Sequence, residues 1–230
     1  MSVSPSVKCT ACLDTGWLYP YKENGGYDYS NAIRCKCMKE KDEQIRRERY
    51  IRLCALPSGT EDMTFENFKT YTDTKEAITA ARQVAKRKLK WLTLLGGVDL
   101  GKTHLAISIC REWLKGGHVA RYAYVPILLD ELRRGFSYIG ELSYESQFQF
   151  FCNVELLVLD DLGTESPTPW VQEKLDTIVD YRWVHKLPLV VTSNLAINEL
   201  PIRIASRLQR FPEGKVVALD GREYRLRRSE

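Results

Sequence analysis

"WLTLLGGVDLGKTHL", residues 91–105, decides how the rest of the chain is read. Residues 91–95 are short and apolar enough for a buried strand, and a glycine-rich turn then leads into a helical pattern at about 102–115. From Gly96 to Thr103 the turn fits G-x-x-x-x-G-K-[ST], with a strand before it and a helix after it, the setting this phosphate loop requires. Consecutive backbone N–H groups at such a helix start face an anion, and the helix dipole reinforces them. Lys102 is expected along the β- and γ-phosphates of a nucleotide, with the Thr103 hydroxyl on Mg²⁺. The binding stretch comprises Gly96, Gly97, Val98, Asp99, Leu100, Gly101, Lys102, Thr103 and His104. Asp99 brings a carboxylate to a variable position of the pattern. Asp tolerates positive φ, so the loop can form, but its charge opposes a polyphosphate unless it turns outward or is paired.

Outward from this loop, apolar strands and amphipathic helices alternate. "VARYAYV" (119–125), "VELLVL" (154–159) and "LPLVVTS" (187–193) read as further strands, with helices at about 126–134 and 170–186. That alternation predicts an α/β fold with a mainly parallel sheet covered on both faces. "LLVLDD" ends a buried strand in Asp160 and Asp161, which are too costly for a core and are expected at the strand's exposed carboxyl end, where doubly wound sheets hold ligands. Asp160 is the candidate Mg²⁺-side acid, directly or through water, and Asp161 the candidate for orienting or activating an attacking water. Asn194 ends the next strand, where it serves either as a γ-phosphate contact or as a turn former. Arg203 and Arg207 lie four apart on one helix face, as solvated side chains or as phosphate contacts across a subunit boundary.

The bulk numbers set the frame. A chain of 230 residues, 44% hydrophobic and 28% charged, suits one well-buried core with a small appendage and excludes a disordered or fibrous protein. No apolar run reaches membrane-span length and none resembles a signal peptide, which predicts a cytoplasmic protein; a net charge of +4 permits anionic partners without requiring them. In that compartment seven cysteines favour metal ligands or buried thiols over disulfides.

Cys9-x-x-Cys12 and Cys35-x-Cys37 form two knuckles in residues 1–38, and four thiolates suit tetrahedral zinc. So short a segment, with few large apolar groups, needs such a staple. Between the outer ligands Lys22, Arg34 and Lys36 balance Asp14, Glu23 and Asp28, which favours a protein over nucleic acid as the module's partner. Residues 39–53 read as a solvated linker helix ended by Pro57, Ser58 and Gly59, so that the chain divides at 1–38, 39–59 and 60–230. Cys54, Cys110 and Cys152 are expected in the core.

"LLGGVDLGKTHLA", "VELLVLDDLGTE", "LPLVVTSNL" and "RIASRL", in this order and spacing, resemble the AAA+ ATPases of the DnaC/DnaI helicase-loader group, with the IstB transposition helpers as close kin. The resemblance covers about residues 60–218. It implies a P-loop AAA+ core with a five-stranded parallel sheet, a reduced or absent lid, and ATP bound between the subunits of a homo-oligomer. Lys102 and Thr103 look like the Walker A residues, Asp160 and Asp161 like the Walker B pair, and Asn194 like sensor 1. Arg207 looks like the arginine finger, with Arg203 as the alternative. Asp99 replaces the usual loop glycine, and Asp161 stands where many AAA+ proteins have glutamate, which implies slow hydrolysis. The group's DNA-contacting segment falls at "LLDELRRGFSYIGELSYESQFQF", where Arg133, Arg134, Phe136 and Tyr138 combine phosphate contact with base stacking, and Trp170 sits where another stacking aromatic is expected. "RQVAKRKLK" (82–90) is read as a solvated or a DNA-facing helix face. The resemblance implies an ATPase that uses ATP, Mg²⁺ and Zn²⁺, docks on a replicative hexameric helicase through its zinc module and acts on single-stranded DNA. A transposition helper or a nucleotide-dependent adaptor with little hydrolysis are the alternatives.

Overall fold

The structure is a computed structural model that describes residues 8–137, 139 and 143–221, in two compact units, Met1–Arg49 and Tyr50–Glu230. Tyr138 lies outside the described residues. In the first unit, β1 (Trp17–Leu18) and β2 (Ile33–Arg34) pair antiparallel, and the helix α1 (Lys36–Cys54) runs on into the second unit. Cys12 and Cys35 are the only buried side chains of the first unit among its described residues, so apolar burial alone cannot hold it together. α1 extends the expected 39–53 by a turn at its start, which places Cys37 on the helix. Its apolar side chains are too sparse for a stripe; Glu43–Arg47 and Lys36–Glu40 pairs at helical spacing line it instead, and Ile45 is exposed.

The second unit is built on a five-stranded sheet with parallel pairing throughout: β3 (Trp91–Leu95), β4 (Ala120–Tyr124), β5 (Leu156–Asp160), β6 (Leu189–Ser193) and β7 (Gly214–Ala218), in the order β4-β5-β6-β3-β7. Among the described residues, six α-helices flank it: α2 (Lys75–Ala85), α3 (Lys102–Lys115), α4 (Val125–Gly135), α5 (Tyr144–Asn153), α6 (Pro169–Val184) and α7 (Ile202–Arg210). Side chains of one β3 run divide between two cores: Leu92 and Leu94 pack with α2 and α3, Trp91 and Leu95 with α4–α7. Burial on both faces explains why the strand reads as continuously apolar rather than alternating.

Elements of the second unit depart from the sequence reading at β7, α5 and α2. β7 carries a lysine and is only partly buried, because an edge strand has one sheet neighbour. α5 begins inside the stretch read as a DNA-contacting segment and runs three residues beyond it; its start is marked by Ser143, whose side chain accepts the Ser146 N–H. α2 ends at Ala85, so residues 82–90 are not one helix face: Val84 is buried and Arg87 adopts positive φ in the turn that follows. No helix among the described residues is long and apolar enough to cross a membrane.

One buried side chain ties the α4–α7 side together. Arg182 of α6 is fully buried and donates to five backbone carbonyls, those of Phe151, Cys152, Val154, Glu155 and Pro188, at 2.6–3.4 Å. These carbonyls belong to the end of α5, the entry to β5 and the turn before β6; Pro188 O also accepts the Leu157 N–H at 3.3 Å, and the guanidinium gathers all three segments onto one side chain.

Candidate active site

The carboxyl ends of β3, β5 and β6, with β4 beside them, converge on a cleft of about 670 Å³ lined by the phosphate loop, Tyr122, Tyr124, Asp160, Asp161, Thr192 and Asn194. The loop takes its shape from three residues at positive φ: Gly96 (140°), Asp99 (54°) and Gly101 (87°). A Cβ at Gly96 would meet the Leu219 carbonyl oxygen, and one at Gly101 would lie 2.8 Å from the Phe68 ring, so both glycines are required by close approach. Asp99 therefore occupies a left-handed position that Asp tolerates. Its charge also works with those of Asp161 and Asp160 to support the Lys102 ammonium, whose pKa burial pulls down.

Lys102 is buried, and its Nζ donates to Gly96 O (2.7 Å), Gly97 O (2.5 Å) and Asn194 Oδ1 (2.8 Å). Asn194 Nδ2 in turn donates to Asp161 Oδ1 at 2.7 Å. One amide thus bridges the phosphate-loop lysine to the second acid, a role beyond a turn former. His104 belongs to the cleft wall, but its Nε2 is 2.8 Å from Thr64 O and its ring meets Phe68 edge-on, so it anchors the loop's first helical turn to the preceding segment.

The expectation that both acids are exposed needs correction. Asp160 is only 3% exposed, tolerated because three hydroxyls donate to its carboxylate: Thr192 to Oδ1 (2.7 Å), Tyr122 to Oδ2 (2.6 Å) and Thr103 to both (3.1 Å). Asp161, half-buried at φ 62°, has its N–H bound to Thr192 Oγ1. Burial first, then the neighbouring Asp160 charge, raise its pKa above the ordinary 3.8, against the pull of Lys102. Thr103 and Asp160 offer hard oxygens within hydrogen-bond distance of one another, a donor set that fits Mg²⁺; they are the side chains that would hold it.

Arg203 and Arg207 do not line this cleft. Both pair with Asp180 of α6, Arg207 through Nε at 2.7 Å, and the Arg207 guanidinium also lies 5.0 Å over Trp183. Of the candidate nucleic-acid contacts, the structure brings Arg133, Phe136 and Trp170 together: Arg133 lies 5.0 Å over Trp170, whose ring is 6.4 Å from exposed Phe136. Arg134 bonds back to Asp130 O. Sequence reading missed the rest of the cluster: Phe136 stacks on Tyr144 (4.4 Å), Tyr144 on Phe148 (5.6 Å), and Lys174 sits 5.7 Å from the Tyr144 ring. The i,i+4 spacing of Tyr144 and Phe148 after Ser143 was the available signal.

In the first unit the ligand atoms of Cys9, Cys12, Cys35 and Cys37 all lie within 4.8 Å of one another, with Cys9–Cys35 at 3.8 Å and Cys12–Cys37 at 3.5 Å. A tetrahedron of Zn–S bonds of 2.3 Å has edges of about 3.8 Å, so the four sulfurs fit zinc. Asp14, at positive φ, accepts from the Cys9 and Lys8 N–H groups and closes the first knuckle. Hydrogen bonding from the Cys12 amide brings the Cys9 thiol down to about 7, while sharing a proton with Cys12 pushes Cys37 up. A zinc ion held by these four sulfurs would replace the shared protons and stabilise all four thiolates.

Residues 29–229 match the model of the IstB-like ATP-binding proteins, a span that includes the phosphate loop, both acids, Asn194 and the arginines. The chain belongs to the IstB-like ATP-binding family. Among similar proteins, this IstB-like chain is 23% identical over 239 residues to the phage-like element PBSX protein XkdC of Bacillus subtilis, covering 95% of the chain and 84% of XkdC. It is 24% identical to the replicative helicase loader DnaC of Escherichia coli K12 over 181 residues, 77% of the chain and 74% of DnaC. The crystal structure of DnaI superposes with a TM-score of 0.62 at 24% identity, covering 76% of this chain and 99% of that one, and shows the shared AAA+ fold.

Proposed function

We propose that this protein is a cytoplasmic AAA+ ATPase that docks on a replicative hexameric helicase and places it on single-stranded DNA. The observation that carries the reading is the union, in one chain, of the phosphate-loop cleft with a separate four-cysteine unit. That unit exposes Tyr21, Tyr27, Tyr29 and Ile33 by more than half, a surface suited to a protein partner. The similarity to DnaC, named a replicative helicase loader, supports the same assignment. In this reading Lys102 and the loop amides hold the ATP phosphates, Thr103 and Asp160 hold Mg²⁺, which neutralises developing phosphate charge, and Asp161, steadied by Asn194, orients the attacking water. Arg207, or Arg203, leaves Asp180 to reach the nucleotide of a neighbouring subunit. Arg133, Phe136 and Trp170 contact the DNA strand.

The zinc-bound unit is expected to be required for docking. The full chain should co-purify with a hexameric helicase, and Cys12→Ser should lose that capture while ATP binding persists. A chain that captures no replicative helicase, yet stimulates a transposase, would replace this reading with the transposition helper implied by the sequence resemblance.

Asp161 also sets a pH dependence. Its pKa is raised by burial and by Asp160, so it takes up a proton at higher pH than an ordinary aspartate of 3.8. ATP turnover needs the carboxylate, and should fall as pH drops through that raised value. A kcat profile with no acid limb above the ordinary aspartate range would remove Asp161 from the proton-accepting role.

A further inference from the structure

The grip on Asp160 is divided unequally among its three hydroxyl partners. Thr103, on the first turn of α3, is shared between the two carboxylate oxygens at 3.1 Å each. Thr192 and Tyr122 make shorter bonds, one to each oxygen, from β6 and β4, the strands on either side of β5. A carboxylate held through one oxygen still rotates about that bond; held through both, it is fixed in plane and direction. Thr103 is also the hydroxyl that the ATP reading assigns to Mg²⁺; its single proton is split between the two oxygens, so it directs neither. The directional clamp is then the Thr192–Tyr122 pair.

Tyr122 is well placed for this. Its ring is 6% exposed and packed in the core on the α2–α3 side, which fixes the direction of the phenol. A buried tyrosine hydroxyl requires a polar partner, and here it finds the Asp160 carboxylate. Phenylalanine would fill the same space without the donor.

We infer that Tyr122 is a positioning residue for the metal-side acid: its hydroxyl sets the orientation of the Asp160 carboxylate, and through it the affinity of the site for Mg²⁺ beside ATP. This rests on the reading of the cleft as an ATP site. Outer partners that orient a metal-binding carboxylate are worth 10–100-fold in metal affinity or activity.

The test is a comparison of full-length wild type with Tyr122→Phe. Mn²⁺, a paramagnetic substitute for Mg²⁺, is titrated into protein saturated with a non-hydrolysable ATP analogue, and free Mn²⁺ is followed by electron paramagnetic resonance. Separately, a fluorescent ATP analogue is titrated in EDTA. Tyr122→Phe is expected to weaken Mn²⁺ binding by about tenfold or more and to leave metal-free nucleotide affinity within about twofold, since Lys102 and the loop are untouched. The second measurement also verifies that the variant is folded. Wild-type Mn²⁺ affinity in the variant overturns the inference, as does an equal loss in both titrations, which would mark a general disturbance of the cleft. A wild-type protein that binds no nucleotide in either titration overturns the ATP reading itself, and this inference with it.

Discussion

Arg182→Leu is expected to destabilise the Tyr50–Glu230 unit by about 3–5 kcal/mol, the scale of leaving several buried carbonyls without their donor. The reason is the number of groups left without a donor. Nη1 serves the carbonyls of Phe151 and Cys152, and Nη2 those of Val154, Glu155 and Pro188. Leucine fills part of the volume but removes the side-chain donor from the carbonyls of Phe151, Cys152, Val154 and Glu155, while Pro188 O keeps the Leu157 N–H; each buried carbonyl left without a partner costs about 1–3 kcal/mol before relaxation. Against a typical total of about 5–15 kcal/mol the loss is severe. Arg182→Lys keeps the charge but gathers its donors on one nitrogen, so it cannot span the end of α5 and the turn before β6 together, and roughly half the loss should remain. Urea denaturation measures both variants. A midpoint shift worth less than about 1 kcal/mol for Arg182→Leu would show that water or repacking satisfies the carbonyls.

Lys102→Ala should lower ATP turnover by about 10²–10³-fold, the scale for removing one preorganised donor from a site of developing charge. Arginine is a poor replacement, because its planar fork cannot reproduce a point charge directed at Gly96 O, Gly97 O and Asn194 Oδ1 from one nitrogen. The alanine variant also frees Asn194 from one of its two partners and so loosens its hold on Asp161. Steady-state phosphate release and equilibrium ATP binding read the effect. Turnover within a few fold of wild type would place the working nucleotide outside this cleft.

The legible part of the molecule was the part written in short-range pattern. Strands β3, β5 and β6 announced themselves because burial on both faces demands a dominantly apolar run, and the phosphate loop because glycine is forced by close approach, of the Leu219 carbonyl at Gly96 and of the Phe68 ring at Gly101. Asp160 and Asp161 stood out as carboxylates directly after such a run. The four cysteines were readable for a similar reason: among the described residues of the first unit, little else is buried.

What stayed hidden depended on partners distant in the chain. Asp160 is buried rather than exposed because Tyr122 and Thr192, 38 and 32 residues away, arrive on neighbouring strands with hydroxyls in reach. Nothing in "VARYAYV" marks its first tyrosine over its second; the strand order β4-β5-β6 does. Nothing local singles out Arg182 among the charges of its helix; the carbonyls that bury it come from the end of α5, the entry to β5 and the turn before β6. Arg203 and Arg207 read as solvated side chains or as contacts to a neighbouring subunit's phosphates, and nothing local marked Asp180 of α6 as the partner of both. Local sequence determines which backbone can be strand, loop or helix, because those choices depend on sterics and on burial of adjacent side chains. Which polar groups can be buried, and so which become chemically useful, is settled only when the sheet assembles, because each needs a donor or acceptor that another element supplies.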